Sequence, residues 1–175
     1  MSDDQRPRRL ALLRHAKSDW STQGEPDHAR PLSLRGRLAA PLMGAWLAEQ
    51  PWRIDLALIS DAARTRETWA RLAPLLPQTP PIETLEALYL AEPEAMLAAL
   101  RKAPDKARTV LMIGHNPGLE QFALRLGDAQ SPRPGAFPTA ALGVFRLDGA
   151  AAPSWDCAAF GDFRLEAYEE PKGLV

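Results

Sequence analysis

Short apolar runs alternate with longer helical patterns along this 175-residue chain, and this alternation narrows the possible folds more than any other feature. Continuous apolar runs predict buried strands at Leu10–Leu13, Leu56–Ile59 and Thr109–Ile113. Three further extended segments are predicted at Ile82–Leu90, Ala141–Leu147 and Trp155–Phe160. Because strands and helices alternate four times, the sequence predicts an α/β fold, three layers deep (α/β/α), around a mostly parallel central sheet.

The helical segments are marked by apolar spacing and by their end residues. Apolar residues recur at helical spacing from Ser33, the expected N-cap, to about Gln50, and Pro41 inside this pattern should either kink the helix or shift its start. Three more helices are predicted at Ala62–Leu76 after a capping Asp61, at Glu94–Lys102, and at Pro117–Leu126. The proline-rich stretch Asp128–Thr139 predicts a loop.

Composition restricts the class of protein. Lys and Arg number 21 against 22 Asp and Glu, so the formal net charge is −1, which argues against a basic nucleic-acid binder or a polybasic membrane protein. The length suits one domain over residues 1–175, with residues 1–7 expected to be flexible. No signal-like or membrane-length apolar run occurs, so we expect a cytoplasmic protein.

Polar side chains follow three of the predicted strands. The first strand ends in Arg14-His15, the second runs into Ser60 with Arg64 about one turn later, and the third is followed by His115. Ligands of α/β proteins bind beyond the carboxyl ends of the strands, so we expect these side chains to converge. Two arginines and two histidines form a positive pocket suited to a phosphoryl group, and a neutral histidine can attack phosphorus without a metal.

Rival chemistries fit the sequence poorly. A cysteine-based phosphatase needs an arginine six positions after its cysteine, but Phe163 stands six after Cys157, the lone cysteine, and Arg164 comes one later. No Gly-x-x-x-x-Gly-Lys-Ser/Thr string is present. A metal held by the three histidines of the chain would be repelled by the neighbouring arginines. We therefore expect no metal and no cofactor.

The strings around these residues resemble the histidine phosphatase superfamily, the phosphoglycerate-mutase-like group, and within it the small SixA-like phosphohistidine phosphatases. The resemblance covers roughly Leu10 to Thr139. It rests on LLRHAKSDW from Leu12, RPLS from Arg30, SDAARTRET from Ser60, LY from Leu88 and GHNPGLE from Gly114.

The resemblance implies a phosphoglycerate-mutase-like fold and a role for each pocket residue. His15 would be the nucleophile that becomes phosphorylated. Arg14 and Arg64 would hold the phosphoryl oxygens, and His115 would donate to the phosphoryl group in the transition state. Phosphate or sulfate is expected to occupy such a site.

Residues around the pocket are assigned less directly. Lys17 is expected near the pocket mouth, and Ser21 falls where many larger relatives contact phosphate with Asn. A general acid is missing from the expected position, so Glu92 and Asp19 are the candidates, with Asp27 a further one. Because the imidazole of a phosphohistidine leaves more easily than an alcohol, a weak acid favours phosphohistidine in a protein partner as the substrate. A phosphomonoesterase for a small phosphorylated metabolite and a non-catalytic phosphoryl-binding module are the alternatives.

Overall fold

The computed structural model describes residues 6–128, 135–148 and 154–174, and within them six strands form one sheet. The strands are β1 (Arg9–Arg14), β2 (Leu56–Ser60), β3 (Ile82–Leu85), β4 (Thr109–Gly114), β5 (Leu142–Leu147) and β6 (Phe163–Glu169). Their order is β3-β2-β4-β1-β5-β6. The first four strands pair in parallel, and β5 pairs antiparallel with both β1 and β6. The predicted α/β fold with a mostly parallel sheet is confirmed.

Helices cover both faces of this sheet. They are α1 (Leu34–Ala48), α2 (Ala63–Leu72), α3 (Pro93–Arg101) and α4 (Gly118–Leu126). Side chains alternate along β1, so that Leu10 and Leu12 join the core under α3 and α4, while Ala11 and Leu13 join the core under α1 and α2. The three predicted layers are therefore present. No helix in the described part of the chain is long and apolar enough to cross a bilayer.

Helix α1 starts where the sequence predicts. The Ser33 hydroxyl caps it by accepting from the Gly36 amide at 3.2 Å, and the helix continues through Pro41 without a shifted start. The predicted cap of α2 is wrong, because Ala62 holds the cap position and Asp61 Oδ1 lies 2.9 Å from Nε2 of His28 instead. This helix also ends early, at Leu72, and a 3₁₀ turn over Ala73–Leu75 follows.

The predicted last strand at Trp155–Phe160 is wrong. Trp155–Cys157 form a 3₁₀ turn, in which the buried indole of Trp155 donates to the Ala107 carbonyl at 2.6 Å and Cys157 is exposed. The stretch is therefore apolar because its Trp155 side chain fills part of the core, and not because it forms a strand. The final strand is β6, an edge strand in which Phe163 is buried, Arg164 and Glu166 are exposed, and the last three residues are half-buried.

Two other predicted segments are partly described. Of Ile82–Leu90, only β3 is a strand, and a 3₁₀ turn over Glu86–Leu88 follows it. Residues 129–134 of the predicted loop and residues 1–5 of the expected flexible terminus lie outside the described residues, whereas 135–139 contain neither helix nor strand.

A close contact joins the start of α1 to the segment after β1. The amide and hydroxyl of Ser33 donate to the Lys17 carbonyl at 2.9 and 3.1 Å. Gly36 sits against the same carbonyl, and a Cβ added there would lie 2.1 Å from the Lys17 oxygen. Only glycine permits this approach, which fixes the backbone two residues after His15.

We predict that Gly36→Ala destabilises the protein by ~1–3 kcal/mol, the usual cost of overpacking. Helix propensity alone predicts the opposite, since alanine is favoured over glycine by about 1 kcal/mol inside a helix. Urea unfolding of Gly36→Ala decides between the two by the sign of the change, and Gly135→Ala, outside any helix or strand and with nothing within 4 Å of an added Cβ, is the control for the same replacement without a contact. A Gly36→Ala protein as stable as the wild type would contradict the contact.

Candidate functional site

The carboxyl ends of β2, β4 and β1 bring the predicted pocket residues together. The register pairs Arg14 with Gly114, so His15 and His115 follow side by side with ring centroids 5.2 Å apart. A cleft of about 460 Å³ opens at this edge. We call it the strand-end cleft; its lining includes Arg14, His15, Lys17, Asp27, Arg64 and Asn116.

The imidazole of His15 is held in one tautomer. Its Nδ1 lies 2.8 Å from the Ala16 carbonyl, and because a carbonyl only accepts, Nδ1 carries the proton and Nε2 keeps its lone pair. The side chain is 7% exposed, and burial lowers its pKa to about 4. The amide of Ala16 is itself tied to Thr68 Oγ1 at 3.0 Å. His15 therefore presents a neutral, fixed imidazole at neutral pH.

His115 is buried beside it. Its Nε2 lies 2.8 Å from the Ser60 hydroxyl, which also accepts from the Ala62 amide at 3.4 Å. With the Ser60 hydroxyl as the donor to Nε2, the imidazole proton is on Nδ1. That Nδ1 is buried and has no hydrogen-bond partner among the described residues. Burial, followed by the neighbouring His15, lowers the pKa of His115 to about 3.

The two arginines have different partners. Arg14 donates through Nη1 to the Phe137 carbonyl at 2.9 Å, and its buried Nε has no partner in the described part of the chain. Arg64 is 4% exposed, and both of its terminal nitrogens are used by Asp27: Nη1 donates to the backbone carbonyl at 2.6 Å and Nη2 to Oδ2 at 3.0 Å. Arg64 thus already holds an anion.

Asp27 is the carboxylate that the loop after β1 brings into the strand-end cleft. The Tyr89 hydroxyl donates to Asp27 Oδ2 at 2.6 Å, and this hydrogen bond together with the Arg64 charge lowers the carboxyl pKa. Asp27 therefore remains ionised at neutral pH. Tyr89 also meets the His115 ring edge-on, with centroids 5.4 Å apart.

The other predicted acids and Ser21 do not line the strand-end cleft. Ser21 is exposed and donates its amide to Asp19 Oδ1 at 2.8 Å, which lowers the Asp19 pKa, so the two residues form an outer turn. Glu92 is exposed at the cap position of α3. Neither the Asp19 nor the Glu92 carboxylate is among the groups that line the cleft, and the assignment of a general acid to either residue stays a prediction. Exposed Lys17 does line the cleft.

Sequence reasoning missed the hydrogen bonds of the Phe137 backbone, which hold the Arg14 side chain. The Phe137 carbonyl accepts from Arg14 and also from Asn116 Nδ2 at 2.9 Å, while the Phe137 amide donates to Glu120 Oε2 at 3.0 Å. Asn116 and Glu120 stand in the GHNPGLE string, which was the available signal. Phe137 lies in a loop and gave none. Tyr89 and Thr68 were likewise visible only inside strings.

No group of three or more His, Cys, Asp or Glu side chains is arranged to hold a metal among the described residues. The arrangement is suited to a phosphoryl group, because it combines the His15 Nε2 and the buried His115 Nδ1, which have no hydrogen-bond partner among the described residues, with the guanidinium of Arg14 and that of Arg64, which Asp27 already binds.

Comparison with known proteins identifies the family. The profile of the histidine phosphatase superfamily (branch 1) matches residues 10–92. An uncharacterized protein of Mycobacterium tuberculosis is 32% identical over 144 residues, covering 78% of this chain and 88% of that protein. SixA of Nakamurella multipartitia superposes with a TM-score of 0.78 at 28% identity, covering 95% of this chain and 99% of that one. The chain belongs to the histidine phosphatase superfamily.

This histidine phosphatase is SixA-like in its fold and is a phosphatase enzyme. The protein histidine phosphatase SixA complexed with tungstate has the same fold, with a TM-score of 0.79 over 95% of this chain and 99% of that one at 22% identity. The phosphoglycerate-mutase-like architecture expected from the sequence is thus confirmed.

The depressed histidine pKa values predict how the stability of this histidine phosphatase depends on pH. His15 titrates at about 4 when folded against an ordinary value of 6.5, so the unfolded chain binds more protons between these values. The free energy of unfolding should therefore fall as the pH drops from about 6.5 to about 4, by ~1.4 kcal/mol per pH unit for each such proton.

Urea unfolding at several pH values measures this slope. His15→Gln should flatten it, whereas His28→Gln, which removes an imidazole that is 45% exposed, should keep it. Equal slopes for the wild type and His15→Gln would contradict the pKa assigned to His15.

Proposed function

We propose that this protein is a metal-independent phosphatase that forms a covalent phosphohistidine on His15 and that its substrate is phosphohistidine in a protein partner. The observation that carries the proposal is the fixed, neutral His15 imidazole, whose Nδ1–H donates to the Ala16 carbonyl at 2.8 Å and whose Nε2 has no hydrogen-bond partner among the described residues. A neutral nitrogen with an exposed lone pair is the form of histidine that attacks phosphorus.

The reaction has two steps. The Nε2 lone pair of His15 attacks phosphorus, and the bond from phosphorus to the substrate nitrogen breaks with its electron pair staying on the departing imidazole, which leaves neutral because its other nitrogen carries a proton. Water then attacks the phosphorus of phosphorylated His15, the bonding pair returns to Nε2, and inorganic phosphate leaves with both protons of the water. No oxidant, metal or cofactor enters the balance.

The neighbouring groups would stabilise the charge on the transferring phosphoryl oxygens. Arg14 has a buried Nε without a partner among the described residues, and His115 has a buried Nδ1 in the same state. A buried donor without an acceptor costs about 1–3 kcal/mol, and a phosphoryl oxygen would relieve that cost. A SixA of the same fold forms a complex with tungstate, which supports binding of an oxyanion by a protein of this fold.

The state of Asp27 favours a phosphorus–nitrogen bond over an alkyl ester as the bond cleaved. An alkoxide needs a proton from an acid, but Asp27 is held ionised by Tyr89 and Arg64. A departing imidazole can instead be protonated at its far nitrogen near neutral pH and needs no acid in the cleft.

Exposed apolar side chains support a protein as the carrier of the phosphoryl group. Trp20 and Leu90 line the strand-end cleft and are 66% and 53% exposed. The Arg30 guanidinium lies 3.7 Å from the centroid of the Trp20 ring and holds it at the mouth. A macromolecular surface can cover such groups, whereas a small metabolite inside the cleft would leave them in water.

Trapping the intermediate tests the nucleophile. A peptide carrying ³²P-labelled phosphohistidine should transfer its label to the wild-type enzyme as an acid-labile, alkali-stable adduct, since phosphohistidine has that stability. His15→Ala should give no adduct, and His28→Ala should still label, because the His28 ring contacts Asp61 and the edge of Tyr89 but does not line the strand-end cleft. Labelling of His15→Ala, or none in the wild type, would refute the assignment.

The substrate class is tested by a ratio of rates. We predict that kcat/KM for a phosphohistidine peptide exceeds that for an alkyl phosphate such as glycerol phosphate by at least about a hundredfold, corresponding to ~3 kcal/mol of missing acid catalysis. Asp27→Asn should lower the alkyl phosphate rate no more than the phosphohistidine rate. A faster alkyl phosphate reaction would favour the small-metabolite phosphomonoesterase instead.

A further inference from the structure

A second, smaller cleft adjoins the strand-end cleft. We call it the side cleft; it has a volume of about 190 Å³, and its lining includes Lys17, Arg35, Thr139, Glu170 and Lys172. Lys17 and Thr139 line both clefts, so the two lie side by side. The side cleft contains no residue to which the proposed reaction assigns a step.

Positive charge dominates the side cleft. Glu170 is the one acidic residue in its described lining, and both of its carboxylate oxygens have partners. Lys172 Nζ lies 2.7 Å from one oxygen, and the Tyr168 hydroxyl donates to the other at 2.8 Å. Neither Lys17 nor Arg35 has a carboxylate partner among the described residues. Most other arginines around the molecule do pair with acids, including Arg37, which is on the same helix and donates to Glu67 at 2.9 Å. Lys17 and Arg35 therefore line the side cleft as two positive charges without a carboxylate partner among the described residues.

The backbone that carries the Lys17 and Arg35 side chains has a fixed position relative to the nucleophile. Lys17 follows His15 by two residues, and its carbonyl is gripped by Ser33 and lies against Gly36. Arg35 lies between those two anchors, in the first turn of α1. The first turn of a helix disfavours a cation, so Arg35 is placed there at an electrostatic cost that an anion would offset.

We propose that the side cleft is a subsite for a second anionic group of the substrate, a carboxylate carried by the partner protein beside its phosphohistidine. Lys17 and Arg35 would bind this carboxylate while His15 takes the phosphoryl group. The inference rests on the proposed function and adds a specificity to it. The enzyme selects phosphohistidines that have an acidic neighbour.

Two phosphohistidine peptides of one sequence, with either Glu or Gln flanking the phosphohistidine, test the subsite. The wild type should prefer the Glu peptide in kcat/KM by about fivefold at low salt, chiefly through KM, as expected for a partly exposed ion pair. The preference should fade in 0.5 M NaCl because salt screens exposed charges.

The variants separate this subsite from a general effect of charge. Lys17→Ala and Arg35→Ala should each lower the Glu preference toward one, and Arg35→Glu should reverse it. Arg37→Ala removes the same charge from another side of α1 and should keep the preference. Thermal melting checks that each variant folds.

The outcomes distinguish this inference from the proposed function. If both peptides phosphorylate His15 and react equally fast, or if Arg37→Ala loses the preference as Arg35→Ala does, the subsite is wrong while the phosphohistidine chemistry stands. If neither peptide labels His15, the proposed function fails and the subsite fails with it.

Discussion

The site depends on the register between β1 and β4. Parallel pairing sets Arg14 opposite Gly114, so the next residue of each strand is a histidine and the two rings lie 5.2 Å apart. The same sheet pairs Ile59 of β2 with Ile113, which places Ser60 within reach of His115. A slip of one residue would turn each side chain to the opposite face and separate the histidines. The buried strands, whose alternate residues fill two different cores, hold the register.

Around this row of strand ends, the side chains are positioned by contacts from other elements. Thr68 of α2 holds the Ala16 amide, Ser60 holds His115, and the Phe137 carbonyl holds Arg14. Ser33 and Gly36 of α1 fix the Lys17 backbone. Because each contact comes from a rigid helix, strand or braced loop, the histidines and Arg14 are ordered before a substrate arrives, which limits the entropy lost on binding.

Much of this arrangement could be predicted from sequence, and the exceptions share a cause. His15, Arg14 and His115 follow apolar runs that are buried on both faces, so their location at one edge followed from the α/β rule. The apolar stretch at Trp155 has the composition of a strand, yet it forms a turn that buries one large side chain. Composition alone does not distinguish a buried strand from such a turn. Asp27 binds Arg64 from a loop 37 residues away, and only the tertiary path of that loop sets which acid reaches the cleft.

The pairing of Asp27 with Arg64 means that Arg64 presents no bare guanidinium charge to the strand-end cleft. A phosphoryl group that contacts Arg64 would have to displace the Asp27 carboxylate or share the guanidinium with it. The affinity is then the difference between two ion pairs and not the full attraction of an arginine for phosphate. In the proposed reaction, inorganic phosphate would face the same competition as it departs, so the returning carboxylate would favour release and limit inhibition by product. A tethered anion would thereby set how long the phosphoryl group stays.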